Sequence, residues 1–162
     1  MMAFTAFARR FAHAAAMIRL RKHAREIAAL AAAVSIVVSF AIPAFHGYVE
    51  RGRVARAVSD IGTLSLQLYR WQQRTSTLPA NLADAGLGGD DPWGRPYVYV
   101  RAADTSAARL RKDEERVPLN TDFDLYSLGP DGVSALALPA PPSLDDVVRA
   151  ADGAFIGVAA NY

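Results

Sequence analysis

The side chains that could do chemistry in this chain are mostly carboxylates, because it has no cysteine and only three histidines. His13, His23 and His46 lie in the first 46 residues, so no later imidazole could activate a serine or cysteine nucleophile or bind zinc. No phosphate-binding glycine loop or G-x-S-x-G motif occurs. Paired carboxylates can hydrolyse glycosides, but acids at this density are typical of a solvated surface. We therefore expect a protein that is not an enzyme.

An uncharged run of 19 residues (27–45) directly follows a basic segment. As a helix the run would be roughly 28 Å long, close to the hydrocarbon thickness of about 30 Å. Residues 1–25 carry six Lys/Arg and no acid, so the positive-inside rule keeps the N-terminus in the cytoplasm. We predict a basic cytoplasmic leader (1–25), a transmembrane segment (26–47) and an outer domain (48–162).

The predicted outer domain is mildly acidic. Beyond His46 there are 12 Lys/Arg and 15 Asp/Glu, a net charge of −3, so the pI of about 9.1 comes from the leader. A high pI of this origin gives no reason to expect nucleic-acid binding. The length suits one compact domain.

Periodicity predicts one long helix that continues from the membrane segment into the outer domain, over about residues 27–73. Pro43 should kink it, because proline removes an amide donor and crowds the preceding turn. Beyond the membrane segment, apolar residues recur in steps of three and four and therefore form a stripe on one face of the helix. The stripe consists of Val54, Val58, Ile61, Leu64, Leu68 and Trp71, and Leu66 does not lie on it.

Shorter elements are predicted after the helix. Apolar and polar residues alternate over 96–102 and 122–129, which predicts two strands, and a third should lie at 155–159. Residues that favour turns separate the predicted strands. We also expect a brief helix within 78–89, an exposed charged loop over 103–121, and an extended proline-rich connector over 135–143.

A hydrophobic helix ending in A-I-P is followed by DPWGRPYVYV, then by DFDLYSLGPDG and an aspartate-rich tail. In these motifs the chain resembles, over residues 26–162, the major pseudopilin of type II secretion systems. It implies an α+β fold, with a long N-terminal transmembrane and amphipathic helix packed on a small antiparallel sheet. It also implies polymerisation into a short periplasmic filament, with copies of itself, other pseudopilins and an inner-membrane assembly platform as partners.

The resemblance gives Glu26 and Pro43 a role in assembly. The family has a glutamate seventeen residues before the proline, and in the family it is thought to meet the free amine of a neighbouring subunit. Glu26 has that spacing, whereas Arg21 and Lys22 stand where the family has the glycine and phenylalanine of its cleavage site. Lys22 or Arg25 of a neighbour could replace the amine. Alternatively, Glu26 is an interfacial acid that reaches water beside Arg25.

Alternatives to the pseudopilus subunit therefore remain. The chain could be a non-polymerising pilin-fold binding module anchored in the inner membrane, or a type IV pilin. The leader also has the composition of an organellar transit peptide, and Arg9–Arg10 weakly match a twin-arginine signal.

The resemblance further implies one calcium ion in the C-terminal loops. Oxygen ligands from carboxylates, carbonyls and hydroxyls suit calcium and require neither histidine nor cysteine. The alternative is a β-turn at 129–132 and a helix cap at Ser143. A longer insert than the family's separates the two halves of the motif and could add Ser134 as a ligand. The residues that match the family's ligand pattern are Leu128, Asp131, Ser143, Asp145 and Asp146.

Overall fold

The computed structural model describes residues 2–106, 109–115 and 117–162, with side chains described for His23 and from residue 26 onward. The chain divides into two compact units, Met1–Tyr48 and Val49–Tyr162. One helix, α1 (Met2–Thr75), contributes to both units and includes Pro43. It begins earlier than the predicted position near residue 27.

The first unit contains an apolar stretch of α1 that is long enough to span a membrane. Within Glu26–Thr75, an 18-residue window has a mean hydropathy of 2.3, and none of it is buried by the rest of the protein. Its two serines bond to the helix itself, since Ser35 and Ser39 donate their hydroxyls to the carbonyls of Ala31 and Ser35. Such bonds satisfy hydroxyls that would otherwise be costly in lipid.

The second unit is an α+β domain, as predicted. Its described residues form a sheet of four antiparallel strands in the order β1-β2-β3-β4, and each strand pairs with the next along the chain. The strands are β1 (Val98–Arg101), β2 (Phe123–Ser127), β3 (Val147–Ala150) and β4 (Phe155–Val158). The predicted strands correspond to β1, β2 and β4, whereas β3 was not predicted.

Residues of α1 beyond Tyr48 pack on one face of this sheet. Ile61 and Leu68 are fully buried against Phe123, Leu125 and other apolar side chains, whereas Leu66 is 51% exposed. The predicted stripe is thus confirmed from Val54 to Leu68, whereas Trp71 at its end is only partly buried and is not a member of this cluster. Each fully buried Ile or Leu contributes roughly 1.5–3 kcal/mol, so this stripe is a main support of the domain.

A second apolar cluster covers the opposite face of the sheet. It forms because alternate residues of a strand point to opposite faces, so Val148 leaves the first cluster while Val147 joins it. Its buried members are Leu119, Leu138, Val148, Ala150 and Ala159.

Three local predictions need correction. Residues 78–89 form turns rather than a helix, because the Asn81 side chain accepts the amide of Asp84 at 2.9 Å and shorter-range bonds follow. The loop over 103–121 is exposed only in part, since Leu110 and Arg111 are buried. The proline-rich connector is not extended throughout, because Pro141–Ser143 form a 3-10 turn. It does not lie wholly at the surface either, since Leu138 is buried and its amide donates to the carbonyl of Lys112 at 2.8 Å.

Candidate functional site

The two sequence motifs that carry the resemblance meet in the structure. Asp91, in the turn before β1, is buried and accepts the backbone amides of Trp93 at 3.0 Å and Arg95 at 2.9 Å. Its second oxygen accepts the hydroxyl of Ser127, which ends β2. Arg95 also donates to the carbonyl of Gly129. The motifs are therefore halves of one structural unit, which holds the loop after β2 in place.

The first motif is also attached to α1. The indole nitrogen of Trp93 donates to Glu50 at 2.9 Å, and the hydroxyl of Tyr97 donates to Asp60 at 2.9 Å. Burial, followed by the hydrogen bond to Asp60, raises the pKa of Tyr97. Both aromatic side chains thus join the turn to carboxylates of α1, which fixes the turn on the helix.

The loop after β2 lies against the segment that precedes β3. Gly129 has a φ of 62°, and a Cβ atom added there would lie 2.8 Å from the carbonyl carbon of Asp145. The amide of Asp131 donates to the Asp145 carboxylate at 3.2 Å. Asp131 and Asp145, one from each half of the predicted calcium motif, are therefore neighbours.

The proposed ligands nevertheless have other partners. Leu128 accepts the amide of Gly132 at 3.2 Å, and Asp131 accepts that of Val133 at 2.8 Å. Ser143 is fully buried and its hydroxyl donates to the carbonyl of Ala135 at 3.0 Å. Among the described residues, no group of three or more His, Asp or Glu side chains is placed to hold a metal ion. Calcium binding stays a prediction.

Asp146 differs most from a calcium ligand. It is fully buried, and its Oδ2 lies 2.7 Å from Nη1 of the buried Arg111 and accepts the hydroxyl of Ser134 at 2.6 Å. Burial raises the pKa of Asp146, while the bonds from Ser134 and Arg111 oppose that shift. Its cationic partner is therefore an arginine of the same chain. Sequence reasoning missed Arg111, because nothing in its charged segment distinguishes it from Arg109 or Lys112.

Glu26 stands at the start of the apolar stretch, as predicted. Its carboxylate lies 3.3 Å from the Nδ1 of His23, three residues earlier on the same helix, and both side chains are largely exposed. The side chains of Arg21, Lys22 and Arg25 lie outside the described residues, and the pairing expected between subunits stays a prediction. His23 was missed as a partner, although its three-residue spacing from Glu26 signals contact on a helix.

No family model, curated protein or solved structure matches this chain. A long apolar helix followed by a small antiparallel sheet is consistent with a pilin-like fold, although the arrangement is not specific to it.

Proposed function

We propose that this protein is a structural subunit of a pilin-like filament, of the pseudopilus kind used in type II protein secretion. It is anchored by one pass in the bacterial inner membrane, with a cytoplasmic N-terminus and a periplasmic domain. It polymerises through its N-terminal helix, and its partners are copies of itself, other pseudopilins and an assembly platform. Its role is structural rather than catalytic.

The observation that carries this proposal is the unpartnered apolar part of α1. Large side chains around the whole helix are exposed there, including Ile27 at 67%, Val37 at 65% and Phe40 at 76%. A helix that is apolar on all sides belongs in lipid or among similar helices. Glu26 supports packing among copies, because a carboxylate at the edge of hydrocarbon is costly unless it is paired.

The arrangement of the outer unit also supports a subunit role. One face of α1 after Tyr48 is committed to the sheet, and Trp93 and Tyr97 attach the motif turn to Glu50 and Asp60 of the helix. Force applied to this part of the helix would thus be transmitted to the domain through several contacts.

A second candidate function is a monomeric, membrane-anchored binding module. Arg21 and Lys22 favour it, because they replace the residues at which the family is cleaved. Without cleavage, no free amine forms next to Glu26. Mass spectrometry of the native N-terminus distinguishes the two candidates: a shortened chain supports the filament subunit, and an intact leader on a monomeric protein supports the binding module.

Filament formation is the direct test. The full chain is overproduced in a Gram-negative host with a type II assembly platform, and sheared surface material is examined by electron microscopy. Glu26→Ala should abolish filaments, while Ser39→Ala should retain them, because the Ser39 hydroxyl donates to the carbonyl of Ser35 in its own helix. Both variants should keep the circular dichroism spectrum of the parent. If Glu26→Ala assembles as well as the parent, Glu26 is not needed for filament assembly.

A further inference from the structure

We propose that Arg111 acts as a built-in cation that closes the C-terminal loops of this domain, in place of a bound calcium ion. The resemblance assigns calcium to loops that include Asp146, whereas the structure gives this carboxylate a guanidinium from the segment between β1 and β2. The proposal concerns how the domain is held together, and it is independent of filament formation.

Arg111 is so deeply buried that its charge must be paired. Its side chain is 2% exposed and that of Asp146 is 0% exposed. The Nη1 atom lies 2.7 Å from Asp146 and donates to the Ser134 hydroxyl at 2.9 Å, and the guanidinium lies 4.3 Å from the ring centroid of Tyr126. A buried charge without such partners would be strongly destabilising.

The same contact connects segments that are distant in sequence. Arg111 precedes β2, Ser134 follows the loop after β2, and Asp146 precedes β3. The backbone amide of Arg111 also donates to the buried carboxylate of Asp124 at 2.8 Å. Both ends of the arginine are therefore fixed. Its charge lies where the connector meets the segment before β3, within the loops for which the resemblance implies a calcium ion.

The remaining acids of the predicted calcium motif do not create a second need for a cation. Asp131 is exposed and Asp145 is partly exposed, and each accepts a backbone amide. Water can solvate both carboxylates. The buried acid of this motif is Asp146, and Arg111 neutralises it.

The contact is made through one atom on each side. Among the described residues, Oδ1 of Asp146 and Nε and Nη2 of Arg111 have no hydrogen-bond partner. A single-point contact depends less on the fork shape of arginine than a bidentate pair does. We therefore expect Arg111→Lys to retain part of the stabilisation, whereas Arg111→Met should lose it.

The test is thermal unfolding of the full chain in detergent, with millimolar calcium and with a chelator. The parent should give the same midpoint in both, and Arg111→Met should lower it by about 10 °C or more. Arg109→Met is the matched control, because Arg109 is exposed two residues away, and it should melt like the parent. A calcium-dependent rise of several degrees in the parent, or an unchanged midpoint in Arg111→Met, would overturn the proposal.

Double-variant analysis keeps the test decisive if Arg111→Met does not fold. Asp146→Leu should also be destabilising, because it leaves the Arg111 charge buried alone. The double variant Arg111→Met/Asp146→Leu should be more stable than the sum of the single losses predicts, since neither charge of the pair is left buried alone. Arg111→Lys is the variant to use if Arg111→Met does not fold. If the stability losses of Arg111→Lys and Asp146→Leu add when the two substitutions are combined, the two side chains do not form a direct pair.

Discussion

Arg149, at the third position of β3, holds the carboxylate of Asp122 through both terminal nitrogens, each at 2.8 Å. Arg149 is fully buried, and its guanidinium lies 4.0 Å from the ring centroid of Phe123. The Tyr69 hydroxyl of α1 donates to the same carboxylate at 3.0 Å. The helix, β3 and the residue before β2 thus share one ion pair.

Loss of this pair should be strongly destabilising. Arg149→Met leaves the Asp122 charge without its cation, and breaking a buried pair costs about 3–5 kcal/mol. Denaturant unfolding of the full chain measures the loss. Arg56→Met is the control, because Arg56 is 70% exposed beside Asp60 and an exposed pair contributes about 1 kcal/mol or less. Equal stability of the two variants would show that the Arg149 pair is not structural.

Gly129 should not tolerate a side chain. Gly129→Ala would place a Cβ atom against the Asp145 backbone, and a left-handed conformation costs a non-glycine residue about 1–2 kcal/mol. We expect a lower thermal midpoint. Gly88→Ala is the matched control, because its added Cβ atom would meet nothing within 4 Å. If both variants melt alike, the loop after β2 does not pack against Asp145.

Alkaline pH should destabilise the domain through Tyr99. Burial raises the pKa of Tyr99 from 10.0 to about 12, and its hydroxyl donates to the carbonyl of Pro79 at 3.0 Å. The folded state therefore holds the proton more tightly than the unfolded state does, so stability is lost as the pH rises from 10 to 12. Over this pH range the thermal midpoint of Tyr99→Phe should fall less than that of the parent.

Tyr48→Phe is the control for that titration, since Tyr48 is 71% exposed. It should follow the parent across the same pH range. If the thermal midpoint of Tyr99→Phe falls as much as that of the parent at alkaline pH, groups other than Tyr99 cause the fall.

The orientation in the membrane can be tested with reporter fusions. Alkaline phosphatase fused after Tyr162 should be active in a Gram-negative host, because the basic leader retains the N-terminus in the cytoplasm. A fusion after Arg25, which lacks the apolar stretch, should be inactive. An inactive but stably produced fusion at Tyr162 would reverse the proposed orientation and remove the pseudopilin proposal.

The sequence by itself determined the elements that repeat a local pattern. The stripe from Val54 to Leu68 predicted which face of α1 is buried and that Leu66 is not, because a helix places every third or fourth residue on one face. The strands β1 and β2 were predicted from the alternation of apolar and polar residues, and the apolar stretch of α1 from its run of 19 uncharged residues.

Tertiary structure decided the rest, because pairing at a distance has no local pattern. The segment VVRA was interpreted as part of a polar turn rather than a strand, yet it forms β3, and Arg149 is buried there because Asp122 neutralises it. Arg109 and Arg111 are alike in sequence, but only Arg111 meets a buried carboxylate, that of Asp146. The cost of burying a charge depends on the partner that the fold supplies, and only the folded chain brings that partner within reach.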